Sequence, residues 1–452
     1  KKMAKTKKGV DFEVVNPHCA GIDVGGKFHV VAIGQSEEET VQFDCFTEDL
    51  HRMCQYLVKH GIKSAAMEST GIYWKPLYLM LLSYDIEVLV CNPGYLKSFG
   101  KKTDRIDSRW IQKLHAVGLL KGSFHPDNFT DELRELVRHR QILIASNVSH
   151  VQRMQKQLVL MNIRLPEVIN DLMGKSGQSI INAILSGERD ALKLASLADR
   201  RCKANLETLA KALTGTWSDQ HLFLLSEHYQ FYQFTCPKLR VCDQHIEKLL
   251  AQEVKKKSTT QTLANYEPKH DKQSAKNNPT FDIDKYAYQL LEGVDLMQIP
   301  GISYNILLPF LAEMGACIVR FPTAKHWTSW LALAPNNKVS GGKVISRKTK
   351  SKKLRLKNTF LNAASGLHNA NCPLGDDFRR LRARKGHSKA LTAIARKLAV
   401  IVYNLVTKKE AYDPSLNEQK EAQQKQHSIK RIRMQMAKHE ITIDDLVLKK
   451  AN

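Results

Sequence analysis

The order of strand-like and helix-like stretches in residues 1–125 constrains the fold more than any other feature of this sequence. Residues 18–34 hold two short apolar runs around a glycine pair, which predicts two strands joined by a turn. Further strands are predicted at 40–46, 63–68 and 86–91, and helices at 48–59, 76–83 and 107–120. Consecutive strands followed by strands that alternate with helices predict an α/β layer with a mixed sheet.

A heptad pattern replaces this alternation from Asp131 to Met161. Apolar residues seven apart, with methionines at the second seam position, predict an α-helical coiled coil, although Arg140 and Asn147 interrupt the seam. A second amphipathic helix is predicted over Pro237–Val254, with the proline in its first turn. We expect the two long helices to pair, within one chain or between chains.

Changes in composition divide the chain into six predicted segments. They are a basic N-terminal segment (1–15), the α/β domain (16–128), a coiled-coil helical domain (129–255), a polar linker (256–285), a mostly α-helical C-terminal domain (286–410) and a Lys- and Gln-rich tail (411–452). Trp327 and Trp330 in the C-terminal domain are three residues apart and are expected to pack in its core rather than to stack on bases.

The charge of the chain points to a polyanionic partner. Lys and Arg number 69 against 45 Asp and Glu, a net charge of +24, and this surplus leaves nucleic acid and anionic membrane as candidates. Apolar stretches such as Leu398–Val406 fall short of the roughly 18 residues that span a membrane. Nine cysteines without a C-x-x-C pair predict reduced thiols, and with no signal peptide in view we expect a cytoplasmic protein.

Four acidic residues form a candidate metal site: Asp23, Glu68, Asp104 and Asp107. Asp23 and Glu68 each lie at the end of an apolar strand, and the other two share one face of a helix start. Carboxylates brought together need a cation, and Mg²⁺, with Mn²⁺ as the alternative, accepts such oxygen ligands and assists phosphoryl transfer.

Other roles for these four acids remain possible. Each could be a surface or capping acid, with Asp104 suited to an N-cap, and the G-x-D-x-G turn also opens sugar kinases. Four neighbouring cations would suit an approaching phosphate backbone: Lys101, Lys102, Arg105 and Arg109.

Residues 338–357 carry nine Lys or Arg residues and no acid. Interspersed Val, Ile and Leu predict a strand or hairpin lying on a nucleic-acid backbone rather than a free tail. Ser340 precedes two glycines that would let a phosphate approach, which makes it a candidate nucleophile, although a plain turn serine has the same pattern. The candidate phosphate contacts are Lys338, Lys343, Arg347, Lys348, Lys350, Lys352, Lys353 and Arg355.

Taken in order, these motifs resemble the DEDD transposases of the insertion sequence 110 family, its insertion sequence 1111 subgroup most closely, and the related Piv-type invertases. The N-terminal motifs are G-I-D-V, M-E-S-T-G-I-Y-W, N-P and K-T-D-R-I-D-S-R. The C-terminal motifs are I-P-G-I, F-P-T-A, W-L-A-L-A-P, S-G-G and A-I-A-R-K. They cover most of residues 16–125 and 290–410, whereas the middle matches only as a coiled coil.

The resemblance implies an RNase H-like, RuvC-like N-terminal domain whose DEDD set is Asp23, Glu68, Asp104 and Asp107, and a C-terminal transposase domain whose catalytic serine is Ser340. It also implies covalent attachment of the serine to the cut strand, a tetramer whose protomers can share a site, and a guide non-coding RNA encoded by the element. The partners would be donor and target DNA duplexes, this RNA and further copies of the chain in a dimer or tetramer, without a membrane, at the bacterial nucleoid.

This chain departs from the family pattern in its extra sequence at 165–235 and 255–285, its long tail, and Ser303 in place of the second glycine of the P-G-hydrophobic-G turn. Three other functions stay open: a junction resolvase that uses water as the nucleophile, an actin-like sugar kinase, and a non-catalytic nucleic-acid-binding protein.

Overall fold

The computed structural model describes residues 13–34, 40–69, 71–92, 104–258, 276–346, 348–349, 352, 354–413, 426 and 429–439, without the side chains of 104–106 and 258. The chain divides into two compact units, Lys1–His125 and Pro126–Asn452. The second unit therefore contains both the helical middle and the C-terminal segment, which were predicted as separate domains.

The first unit is built on a five-stranded mixed sheet. Its strands are β1 (Cys19–Val24), β2 (Phe28–Ala32), β3 (Thr40–Asp44), β4 (Ser64–Glu68) and β5 (Glu87–Cys91), and its helices are α1 (Thr47–Lys59), α2 (Trp74–Ser83) and α3 (Asp104–Ala116). The strand order is β3-β2-β1-β4-β5, with β1, β4 and β5 parallel and β2 antiparallel to both neighbours. The predicted mixed sheet is confirmed.

The side chains of β1 and β4 alternate between two apolar layers. On one face Ile22 and Met67 are fully buried among residues of α1 and α2, such as Leu57 and Leu77. On the other face, which α3 covers, Ala66 packs with apolar side chains of that helix. Helices cover both faces of the sheet, so residues directed to either face are apolar. The central strands therefore appear in the sequence as continuous apolar runs.

The second unit is mostly helical. Its helices are α4 (Asn128–Leu160), α5 (Leu165–Val168), α6 (Lys175–Leu185), α7 (Ala191–Ser196), α8 (Leu206–Leu213), α9 (Asp219–Ser258), α10 (Ile283–Leu290), α11 (Tyr304–Glu313), α12 (Ala324–Trp330), α13 (Arg355–Gly366), α14 (Pro373–Lys385) and α15 (His387–Lys408). Short 3-10 turns lie at Leu296–Gln298, Gly315–Arg320 and Leu367–Asn369, and strands β6 (Lys338–Ser340) and β7 (Lys343–Ser346) form a hairpin. Residues 429–438 of the tail are also helical.

The long helices α4 and α9 pack against each other within the chain. Val137, Met154 and Leu158 of the predicted seam are buried. The predicted start of the second helix was wrong, because α9 begins at Asp219 and Pro237 lies inside it. The small helices of the extra sequence, α5 to α8, form a separate apolar cluster. This cluster packs on the end of α4 near Leu158 and on the start of α9 near Leu225.

A buried ion pair explains why a charged residue interrupts the seam at Arg140. Its Nε donates to the Asp243 carboxylate of α9 over 2.5 Å, and the two side chains are 4% and 1% exposed. Arg140 also donates to the Asn277 carbonyl, and the Thr280 amide donates to Asp243. This network joins both long helices to the chain segment that precedes α10.

Replacing Asp243 with alanine is expected to lower the free energy of unfolding by about 3–5 kcal/mol, because it leaves the guanidinium buried without its counter-charge. Chemical denaturation followed by circular dichroism measures the loss. The paired change Arg140→Met with Asp243→Leu should recover most of it. A loss below about 1 kcal/mol for Asp243→Ala would contradict the assignment of this pair to the core.

The C-terminal core forms around Trp327, which is fully buried and donates from its indole to the Ala399 carbonyl of α15. Its ring stacks on Trp330 at a centroid distance of 5.6 Å, which confirms that both tryptophans pack. Among the described residues only α15 is long and apolar enough to cross a membrane, yet half of its apolar window is buried inside the fold. Core helices commonly have this composition.

Candidate functional site

Asp23 and Glu68 lie at the same end of two neighbouring parallel strands. In the register of β1 and β4, Ile22 is opposite Met67, so the next position on each strand is Asp23 and Glu68. Glu68 is the last residue of β4, and one residue of β1 follows Asp23. The strands thus carry the two carboxylates side by side at their carboxyl ends.

Both carboxylates lie on the face that α3 covers. Ile22 and Met67 are directed to the opposite layer, and successive residues of a strand alternate in direction. Gly21, two residues before Asp23, faces α3 so closely that a Cβ there would lie 2.2 Å from the Gln112 amide nitrogen. The two acids are both partly exposed.

Helix α3 brings its first turn towards this end of the sheet. The Gln112 carbonyl accepts from the thiol of Cys19 at the start of β1, whereas Ser108 lies over Gly21. An earlier residue of α3 therefore lies beside a later residue of β1. The helix thus runs antiparallel to the strand and begins near Asp23. Asp107 lies in this part of the helix.

Two of the four predicted acids, Asp23 and Glu68, are brought side by side. Asp107 lies near the start of the helix that covers them, and the side chain of Asp104 lies outside the described residues. Among the described side chains, no three His, Cys, Asp or Glu residues form a group that could hold a metal ion. The donor chemistry fits a hard divalent cation, since carboxylate oxygens are the ligands that Mg²⁺ prefers and they repel one another without a cation.

Glu68 also acts on its other neighbour, Cys91, which is opposite it in the register of β4 and β5. Burial, and secondly the negative charge of Glu68, raise the pKa of the Cys91 thiol to about 11. Cys91 is therefore a protonated core residue at neutral pH. We therefore assign Cys91 a packing role and no catalytic role.

Arg109 does not fit the predicted contact to a phosphate backbone. It is 7% exposed and donates from Nη1 to the carbonyls of Ile33 and Gly34, over 2.7 and 3.0 Å. These bonds hold α3 to the end of β2, so Arg109 positions the helix instead. Lys101, Lys102 and the side chain of Arg105 lie outside the described residues.

Substitution of Gly21 by valine tests this geometry. The added side chain would meet backbone atoms of α3 at 2.2–2.3 Å, so the helix that carries Asp107 must shift away from the sheet. We expect a loss of about 1–3 kcal/mol in unfolding free energy and a fall of ~100-fold in the DNA strand cleavage that the family resemblance implies. Gly366→Ala, where a Cβ meets nothing within 4 Å, is the control. Full activity of Gly21→Val would contradict the placement of α3.

Ser340 lies at the tip of the exposed hairpin of β6 and β7. It is opposite Lys343, and the two loop residues, Gly341 and Gly342, have φ angles of +54° and +75°. Positive φ at both positions is the backbone of a tight two-residue hairpin turn, which glycine adopts without strain. A Cβ at either glycine meets no atom within 4 Å, so the space beside Ser340 is open.

The hairpin agrees with the strand or hairpin predicted for this basic segment. Five of the predicted phosphate contacts have described side chains, and all five are exposed: Lys338, Lys343, Lys348, Lys352 and Arg355. Arg355 donates to Gln141 of α4, which ties the end of the segment to the long helix. Arg347, Lys350 and Lys353 lie outside the described residues.

The P-G-hydrophobic-G turn before α11 is packed. A Cβ on Gly301, whose φ is +89°, would lie 2.9 Å from the Leu367 side chain and 3.0 Å from the Ala363 carbonyl. Packing against α13 and the turn after it therefore accounts for this glycine.

Two family models match the chain. Residues 20–163, which include the mixed sheet and α4, match the DEDD transposase of the IS110 type. Residues 295–379, which include the hairpin with Ser340, match the transposase of the IS116/IS110/IS902 family. No curated protein gives a significant match.

Proposed function

We propose that this chain, which belongs to the IS110 family of transposases, cuts and rejoins DNA with a carboxylate-bound divalent metal and a serine nucleophile. Membership of the family makes it a DNA transposase or recombinase and implies a RuvC-like N-terminal domain, in agreement with the mixed sheet. Use of a divalent metal, the serine nucleophile and the guide RNA are parts of the proposal. Membership of the insertion sequence 1111 subgroup, which the motifs suggest, is also proposed.

The observation that carries the proposal is the position of Asp23 and Glu68, side by side on one face of parallel strands beneath the helix that contains Asp107. With Asp104 these residues would hold Mg²⁺ or Mn²⁺, which when bound neutralises charge on the scissile phosphate. Arg109 keeps α3 against the sheet, and so fixes where its acids lie.

Ser340 is the proposed nucleophile. Its Oγ forms a bond to phosphorus, the bond from phosphorus to the leaving strand oxygen breaks, and that oxygen takes up a proton while the serine loses one. The exposed Lys338 and Lys343 attract the phosphate. Attack by a hydroxyl of another strand on the phosphoserine then releases the serine and restores a phosphodiester, so no external energy source is needed.

Guide RNA and oligomeric state complete the proposal. The net charge of +24 suits two nucleic-acid partners, donor and target DNA together with an element-encoded RNA. Copies of the chain would assemble as a dimer or tetramer around them, at the nucleoid in the cytoplasm. The RNA is tested by purifying the protein from cells that carry its flanking non-coding DNA and sequencing the RNA that stays bound. One discrete RNA supports guidance, and random RNA contradicts it.

The catalytic proposal is tested with DNA that joins the two ends of the element. Strand cleavage should require Mg²⁺ or Mn²⁺, should stop with EDTA, and should consume no ATP. Cleavage without any covalent protein–DNA product would favour a water-using junction resolvase. ATP hydrolysis without affinity for nucleic acid would favour a sugar kinase, and DNA binding without cleavage a non-catalytic role.

A further inference from the structure

Two apolar side chains lie exposed just after the strand that ends in Glu68. Ile72 is 79% exposed and Tyr73 is 50% exposed, immediately before α2. The helix that follows is held in the core by Leu77 and Leu81, so Ile72 and Tyr73 do not contribute to the packing of this helix. These two side chains are therefore accessible to a partner near the end of β4.

The ring of Tyr73 is supported from one side by the turn between β1 and β2. A Cβ built on Gly26 would lie 3.2 Å from Cζ and 3.5 Å from both Cε atoms of this ring. The phenolic oxygen is not among the three nearest atoms, so Gly26 faces the flat side of the ring rather than its edge. Half of the residue is exposed, so part of the ring remains accessible to solvent.

The turn that supports this ring is only a few residues along the chain from Asp23. Gly26 is three residues from Asp23, so the two α-carbons are within about 10–11 Å of each other, and the ring lies on Gly26. A nucleotide whose phosphate is held at Asp23 and Glu68 through the proposed divalent cation would carry its base within this range. The partner that the ring can reach is therefore a base next to the phosphate.

We propose that the side of the Tyr73 ring away from Gly26 is a stacking platform for an unpaired nucleobase beside the scissile phosphate, with Ile72 touching the same base. The proposal rests on the proposed function and adds a positioning residue to it. Aromatic rings stack on any base, so Tyr73 would fix the strand at the cut without reading its sequence. Gly26 has no side chain, and this leaves room for the ring to lie flat.

Cleavage of matched substrates tests the platform. One substrate is the intact element-end DNA, and others carry a single abasic site at each of the two nucleotides on either side of the cut. We expect Tyr73→Leu to lower kcat/KM on intact DNA on the order of 10-fold, and Tyr73→Trp to retain activity. Phe234→Leu, which changes a 65% exposed ring on α9, is the matched control and should cleave normally.

The abasic substrates separate stacking from a purely structural role. The wild type should lose a similar ~10-fold when the stacked base is missing, and Tyr73→Leu should lose nothing more on that substrate. Equal losses for Tyr73→Leu on intact and abasic DNA, or no loss at all, would overturn the platform while the proposed function stands. If the wild type cleaved none of these substrates, including the intact DNA, both the stacking platform and the proposed function would be overturned.

Discussion

Replacing Ser340 with alanine is expected to lower strand cleavage by a factor on the order of 10⁴ or more and to leave DNA binding intact. The hydroxyl is the only group that the substitution removes, and it lies at an exposed hairpin tip where no packing depends on it. Stability should therefore be unchanged. Gel-based cleavage of end-labelled DNA, with binding measured in parallel, gives both quantities.

The matched control for Ser340 is Ser346→Ala in the second strand of the same hairpin. Ser346 accepts a hydrogen bond from the Lys348 amide, so its loss affects only the local turn. We expect cleavage by this variant to stay within about 2-fold of the wild type. Normal cleavage by Ser340→Ala would remove the serine from the mechanism and leave water as the nucleophile.

Replacing Asp23 with asparagine is expected to lower cleavage by a factor on the order of 10³, because it removes one negative charge from the proposed metal ligands while keeping the shape of the side chain. The activity that remains should need a higher Mg²⁺ concentration, since affinity for a hard cation follows ligand charge. Initial rates measured over a Mg²⁺ titration separate the two effects.

Asp44→Asn is the control for this charge change. Asp44 is an exposed residue at the end of β3 in the same sheet, opposite Phe28. Its removal alters the net charge equally but should leave the rate and the Mg²⁺ dependence unchanged. Equal effects of Asp23→Asn and Asp44→Asn would mean that general electrostatics, rather than metal binding, explains the loss.

Local patterns predicted the elements of the first unit well. Glycine pairs, apolar runs and helical spacing predicted the five strands and three helices that the structure describes in this unit, because each signal depends on neighbouring residues. The strand order and the pairing of Asp23 with Glu68 depend on contacts 45 residues apart, and only the structure shows them. The same holds for Gly21, whose role is to let α3 approach the sheet.

Charge patterns were less informative, because a sequence does not show which way a cation points. Arg109 stands among other basic residues yet is buried against backbone carbonyls, and Arg140 interrupts a heptad seam to pair with Asp243. Pro237 predicted a helix start but lies inside α9, which packs along α4 on both sides of it. Tertiary packing overrides local propensity at these positions.

The most direct test of the central claim is to look for a covalent bond between the protein and cut DNA. Wild-type protein is incubated with labelled element-end DNA and Mg²⁺, denatured, and the adduct is digested for peptide mass spectrometry. The proposed mechanism predicts label attached to the peptide that contains Ser340, absent in Ser340→Ala and in EDTA. Metal-dependent cleavage with no protein-bound label, or label on another residue, would contradict it.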